Sequence, residues 1–200
     1  MKLPVLSWIV CVLALIGLLA WGGTRVVAVA PDRPTVATGT ALIGGAFTLV
    51  DGKGKGWTDK DFRGRYALVY FGFTHCPDIC PTTLLTIANA LTQINKPKRI
   101  VPVFITLDPE RDTPKAVTDY VAHFGDAFIG LSGTPAQIKQ AADAYKVYYT
   151  KVEQPGSAME YVIDHSGFVY LMGPDGQYVT HVAHGISEQA LTEKLNAAIK

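Results

Sequence analysis

The sequence predicts an α/β domain with an open sheet. Two continuous apolar runs, YALVYFGF (residues 66–73) and IVPVFITL (residues 100–107), have strand length and suit buried central strands. Helix signals alternate with them. Near the end, two strand-like runs flank Gly173-Pro174-Asp175-Gly176, a strong turn signal.

In chain order, the first element is LPVLSWIVCVLALIGLLAW (residues 3–21), which carries no charge and is long enough to span a bilayer as a helix. The hydrophobic content of 48% is concentrated here. A cleaved signal peptide would have a shorter apolar region, about 7–15 residues. Ala28-Val29-Ala30 resembles a cleavage site, but Pro31 follows and hinders cleavage. An uncleaved anchor over residues 1–23 is therefore expected, although Lys2 and Arg25 balance too evenly to set its orientation. Residues 24–40 lack helical periodicity and are rich in Thr, Ala and Pro, so they read as a linker. The remaining domain, residues 41–200, opens with FTLVDGKGKGWT (residues 47–58), a β-hairpin with a Gly-rich turn.

After the first buried strand, Pro81 suits the first helical position, with Leu84, Leu85, Ala88 and Leu91 as the inward stripe. Pro102 weakens the first half of the second strand. Asp112 or Thr113 can cap a helix that has Pro114 near its start. FIGL (residues 128–131) is a short strand, and a helix follows over residues 135–145. FVYLMGPDGQYVTHVA (residues 168–183) is the closing hairpin, and a last helix capped by Ser187 runs over residues 187–200. βαβ followed by a hairpin and a helix is the thioredoxin-like arrangement, in which sites collect beyond the carboxyl ends of strands.

Composition excludes some functions. There are 18 basic and 17 acidic residues. No basic excess marks a nucleic-acid binder. Of three cysteines, Cys11 lies in the apolar segment, and Cys76 and Cys80 stand alone in the domain. That is too few for a disulfide framework, so a chemical role is expected for the pair.

The pair occupies FTHCPDICPTTL (residues 73–84), after a buried strand and at a helix start. The helix dipole and unpaired N–H groups there favour thiolate, the form that attacks disulfides and binds metal. C-x-x-x-C allows a disulfide, or two ligands to one soft ion such as Cu(I); zinc ordinarily takes four ligands. A third ligand has to come from elsewhere. His75 is next to Cys76 and points away from it. His123, His181 and His184 read as structural or solvated. His165, in EYVIDHSG (residues 160–167), stands where a strand ends and the hairpin begins, and periodicity alone reads it as a capped loop histidine.

GGAFTLVDGKG (residues 44–54), TDKDFRGRYALVYFGFTHCPDICP (58–81), TLDPERDTP (106–114) and YVIDHS (161–166) together resemble the Sco/SenC family, exported copper chaperones of cytochrome c oxidase assembly. The resemblance covers residues 40–200 in the family's order. It implies a thioredoxin-like fold behind an N-terminal anchor and three metal ligands, Cys76, Cys80 and His165. It also implies copper as Cu(I) or Cu(II), and a client, the CuA site of cytochrome c oxidase subunit II, with a copper donor protein upstream. Two thiolates and an imidazole satisfy Cu(I); Cu(II) wants a fourth ligand, for which Asp78 and Asp164 are candidates, both better read as solvated. Asp108, Glu110, Arg111 and Asp112 read as a salt-bridged, capping loop, with support of the metal loop or partner docking as the functional alternatives.

Two functions compete. A copper chaperone, not an enzyme in the usual sense, needs His165. A thiol–disulfide oxidoreductase that reduces a client's copper-ligand cysteines needs only Cys76 and Cys80, and ordinarily carries C-x-x-C. A peroxiredoxin fits less well, because it relies on one dominant thiol. Met1-Lys2 leads straight into the apolar run with no Arg-rich transit peptide. The expected location is a bacterial inner membrane, single-pass, with the domain in the periplasm.

Overall fold

The computed structural model describes residues 42–199. The expected anchor (1–23) and linker (24–40) lie outside the described residues. Among those described, no helix is long and apolar enough to cross a membrane.

The opening hairpin is β1 (Thr48–Val50) and β2 (Gly56–Thr58), antiparallel with Leu49 opposite Trp57. Then come β3 (Tyr66–Gly72), α1 (Ile79–Gln93), β4 (Ile100–Thr106), α2 (Pro114–Ala122), β5 (Ile129–Leu131) and α3 (Pro135–Tyr145). β6 (Tyr149–Glu153), β7 (Tyr161–His165), β8 (Phe168–Met172), β9 (Tyr178–Ala183) and α4 (Glu188–Ala198) complete the fold. The main sheet has the order β5-β4-β3-β8-β9. β3, β4 and β5 are parallel, while β8 runs antiparallel to both β3 and β9. This is a thioredoxin-like α/β fold.

The two apolar runs are the sheet's centre. Every residue of β3 and β4 is buried, as strands covered on both faces require. Pro102 does not break β4, because β5 joins it only from Val103 onward. The predicted caps at Thr113 and Ser187 are present, their hydroxyls accepting N–H bonds from Ala116 and Ala190; Thr134, which the sequence reading did not name, caps α3 in the same way through Gln137.

Two expectations are corrected. First, α1 starts at Ile79, which puts Pro81 inside the first turn, where helical N–H groups have no intrahelical partner and proline loses nothing. Burial of Cys80 turns the helix so that Thr83, Leu84, Ile87 and Ala90 face inward, and Leu85 is 54% exposed. Second, the sequence reading missed β6. Among the described residues it pairs with β7 alone, as a separate two-stranded sheet with Tyr149 opposite His165.

Candidate functional site

β3 ends at Gly72, and the chain turns through Phe73, Thr74 and His75 into the cysteines. The turn is tight: the Cys76 N–H donates to the Phe73 carbonyl at 3.3 Å. Gly72 is needed for close packing, since a Cβ there would stand 2.9 Å from Cys80 Sγ and 2.9 Å from the Phe104 ring. Cys80 lies in the first turn of α1 and is fully buried; Cys76, one loop earlier, is partly exposed.

The two sulfurs differ in charge. Cys76 Sγ accepts the backbone N–H of Cys80 at 3.4 Å. The Cys80 thiol and the N–H groups of Asp78, Cys80 and Ile79 hold the Cys76 pKa down to about 5, against the opposing effect of burial. Cys80 shifts upward, because it donates to Cys76 and is buried beside that negative charge. The pair therefore holds one proton, on Cys80, with Cys76 as thiolate at neutral pH. Cys80 Sγ also accepts the Tyr70 hydroxyl at 3.7 Å.

Across the site, His165 ends β7, and its Nε2 is 4.0 Å from Cys80 Sγ, 85 residues away in sequence. Its Nδ1 lies 3.1 Å from the Ser166 carbonyl, which can only accept, so Nδ1 carries the proton and Nε2 presents a lone pair to the sulfur. Tyr70 and Phe73 stand edge-on to the ring, each 6.4 Å between centroids. Burial lowers the His165 pKa, which keeps the imidazole neutral.

Metal–sulfur and metal–nitrogen bonds of ~2.3 and ~2.0 Å set S and N ~3.7 Å apart around a trigonal ion. The observed 4.0 Å is a little wider. Among the described residues, no group of three or more His, Cys, Asp or Glu side chains is arranged to hold a metal ion.

Of the other candidates, His184 and Asp164 are close enough to His165 to influence its charge, in opposite directions. Asp78 and Asp164 are exposed, and Asp164 points to the opposite face of β7 from His165. His75 Nδ1 stands 3.1 Å from the Thr74 hydroxyl and 3.4 Å from Asp112. His123 contacts the Tyr120 carbonyl, and His181 packs 4.9 Å from the Phe168 ring. His184 donates its backbone N–H to the Gly167 carbonyl.

Sequence reasoning favoured a salt-bridged capping role for the 108–112 loop over support of the cysteine loop. The structure shows that support. Asp112 and Asp108 are buried carboxylates that accept hydrogen bonds from Thr74 in the cysteine loop and from Tyr161 in β7, respectively. The signal available was two aspartates in one short loop at a strand's carboxyl end.

Comparison with known proteins finds one family repeatedly. The family model SCO1/SenC matches residues 35–200. The mitochondrial protein SCO1 homolog 1 of Arabidopsis thaliana is 44% identical over 78% of this chain and 47% of its own length. The SCO2-like protein RP587 of Rickettsia prowazekii is 43% identical over 76% of this chain and 74% of its own length. The chain thus spans about half of the first relative and three quarters of the second. The crystal structure of Arabidopsis thaliana ScoI with copper bound has a TM-score of 0.74 at 43% identity, covering 78% of this chain and 98% of that one. The structure of Bradyrhizobium japonicum ScoI with copper bound has a TM-score of 0.70 at 38% identity, covering 78% and 99%.

Proposed function

The chain belongs to the SCO1/SenC family, and from that premise we propose that it is a copper chaperone that carries copper on Cys76, Cys80 and His165. The observation that carries this reading is the 4.0 Å approach of a lone-pair-bearing His165 Nε2 to Cys80 Sγ. Two sulfurs and one imidazole suit three-coordinate Cu(I); Cu(II) takes a further ligand.

Copper is the cargo. Cys76, ionised and partly exposed, is the first group an incoming ion meets. Binding at Cys80 then displaces its proton, and His165 supplies the third ligand without losing one. Release reverses the order by exchange with client thiolates. The proposed client is the CuA site of cytochrome c oxidase subunit II, and a donor protein supplies the copper. In this proposal residues 1–23 anchor the chain in a bacterial inner membrane and the domain stands in the periplasm. The support is the charge-free apolar run of residues 3–21. Digestion of spheroplasts by external protease checks the location, and protection of the domain overturns it.

One observation favours a second reading, a thiol–disulfide oxidoreductase. A partly exposed thiolate beside a buried, protonated thiol is an attacking and resolving pair. Cys76 thiolate attacks a client disulfide to give a mixed disulfide and release one client thiolate. Cys80 then loses its proton and attacks Cys76 Sγ, releasing the second. The protein is left as the Cys76–Cys80 disulfide and needs an external dithiol to return.

A Cu(I) competition titration of the reduced full-length chain against a chromophoric chelator, beside His165→Ala, separates the two. One tight equivalent, much weakened in the variant, is the chaperone result. Binding indifferent to His165 turns the assignment to the oxidoreductase.

A further inference from the structure

Among the described residues, the strand that carries His165 has no partner in the main sheet, since β7 pairs only with β6. The 108–112 loop sets its position instead. Arg111 Nη1 donates to the carbonyls of Met159 and Tyr161 at 3.0 and 3.1 Å. Its Nε donates to Asp108 at 2.5 Å, and its guanidinium carbon lies 3.6 Å from the Tyr161 ring centroid. The Tyr161 hydroxyl donates to the second Asp108 oxygen at 2.9 Å, and Asp108 is 2% exposed.

Tyr161, Ile163 and His165 alternate onto one face of β7, and the first two are buried. Holding the Tyr161 ring and carbonyl therefore fixes the strand's rotation and height, and with them the direction of His165. The same loop holds Thr74, two residues before Cys76, through Asp112. The ligand-bearing segments thus hang from one loop.

We propose that Arg111 is a positioning residue for His165: its grip on Tyr161 holds β7 where the imidazole reaches the cysteine pair. The role in copper binding rests on the ligand set proposed above. Residues that orient metal ligands typically contribute about 10–100-fold to metal affinity.

The test uses the full-length chain with Arg111→Ala, His165→Ala and the double variant. Copper affinity is measured by competition, and imidazole nitrogen coupling to Cu(II) by pulsed electron paramagnetic resonance. Arg111→Ala is expected to lose about 10–100-fold in affinity and most of the nitrogen coupling. In the His165→Ala background it is expected to cost nothing further, because it acts through His165. Equal losses in both backgrounds overturn the proposal.

A metal-free arm keeps the two ideas apart. Amide hydrogen exchange at residues 161–165 is expected to speed up in Arg111→Ala, while β3 stays protected. Unchanged exchange in β7 overturns the proposal whatever copper does. If His165→Ala binds copper like the unaltered chain, the ligand reading fails, and this arm still decides the grip. Tyr161→Phe, which removes only the hydroxyl bonded to Asp108, takes the same measurements should Arg111→Ala fail to fold, with a smaller change in the same direction expected.

Discussion

The carboxylate of Asp112 accepts two hydrogen bonds from Thr74, one from its backbone N–H at 2.9 Å and one from its hydroxyl at 2.5 Å. The Thr106 hydroxyl donates to the same group at 2.6 Å, and Asp112 is fully buried. The cysteine loop is thereby tied to the carboxyl end of β4. Asp112→Ala strands three donors, of which the Thr106 hydroxyl is buried and the two of Thr74 are partly so. A loss of about 3 kcal/mol or more is expected in urea unfolding. A loss under about 1 kcal/mol shows that water or a rearranged loop replaces the carboxylate.

Gly72 controls the room available to Cys80. Its missing side chain is what lets Cys80 Sγ and the Phe104 ring close over the end of β3. Gly72→Ala is expected to cost about 1–3 kcal/mol, as overpacking does, and to weaken Cu(I) binding by displacing the sulfur. Chelator competition beside a melting curve reads both. Full copper affinity in a destabilised variant means that Phe104 moves and Cys80 does not.

Cys76 reactivity should titrate far below that of an ordinary thiol. Its rate of alkylation by iodoacetamide is expected to have an inflection near pH 5 and to be flat above it, with Cys80 unreactive across the range. The sign for stability follows. A depressed folded-state pKa adds stability that is complete above the unfolded thiol's value and lost as pH falls through about 5. Cys76→Ser should flatten that acid loss, and an unchanged acid limb assigns it to carboxylates.

Oxidation should block the site. Diamide takes two electrons and the one proton of the pair, with a second proton from solvent, and joins Cys76 to Cys80 as a disulfide. The oxidised chain is expected to bind no Cu(I) until a phosphine reductant restores both thiols. Equal binding before and after reduction removes the two sulfurs from the ligand set.

Much of the fold was legible because its signals are local. The apolar runs of β3 and β4, the hydroxyl caps at Thr113 and Ser187, and the turn at Gly173–Gly176 each lie within a few residues of chain. Other features were not. Leu85 fits the apolar stripe of α1 as well as Leu84 does, and the burial of Cys80 decided between them. β6 has a mixed polar composition and is a strand only because β7 lies beside it.

By itself, the sequence determined that two cysteines sit four residues apart at a helix start, after a buried strand, and that dictates an acidic thiolate. Resemblance, not periodicity, singled out His165. Only the tertiary structure brought its Nε2 to 4.0 Å from Cys80 Sγ. It also made an acidic loop the common support of the cysteine loop and of the strand that carries His165. The physical reason is range. Strand, cap and turn energies act between near neighbours and leave a periodic trace. The contacts Asp112–Thr74, Arg111–Tyr161 and Cys80–His165 join residues 38 to 85 positions apart and leave none.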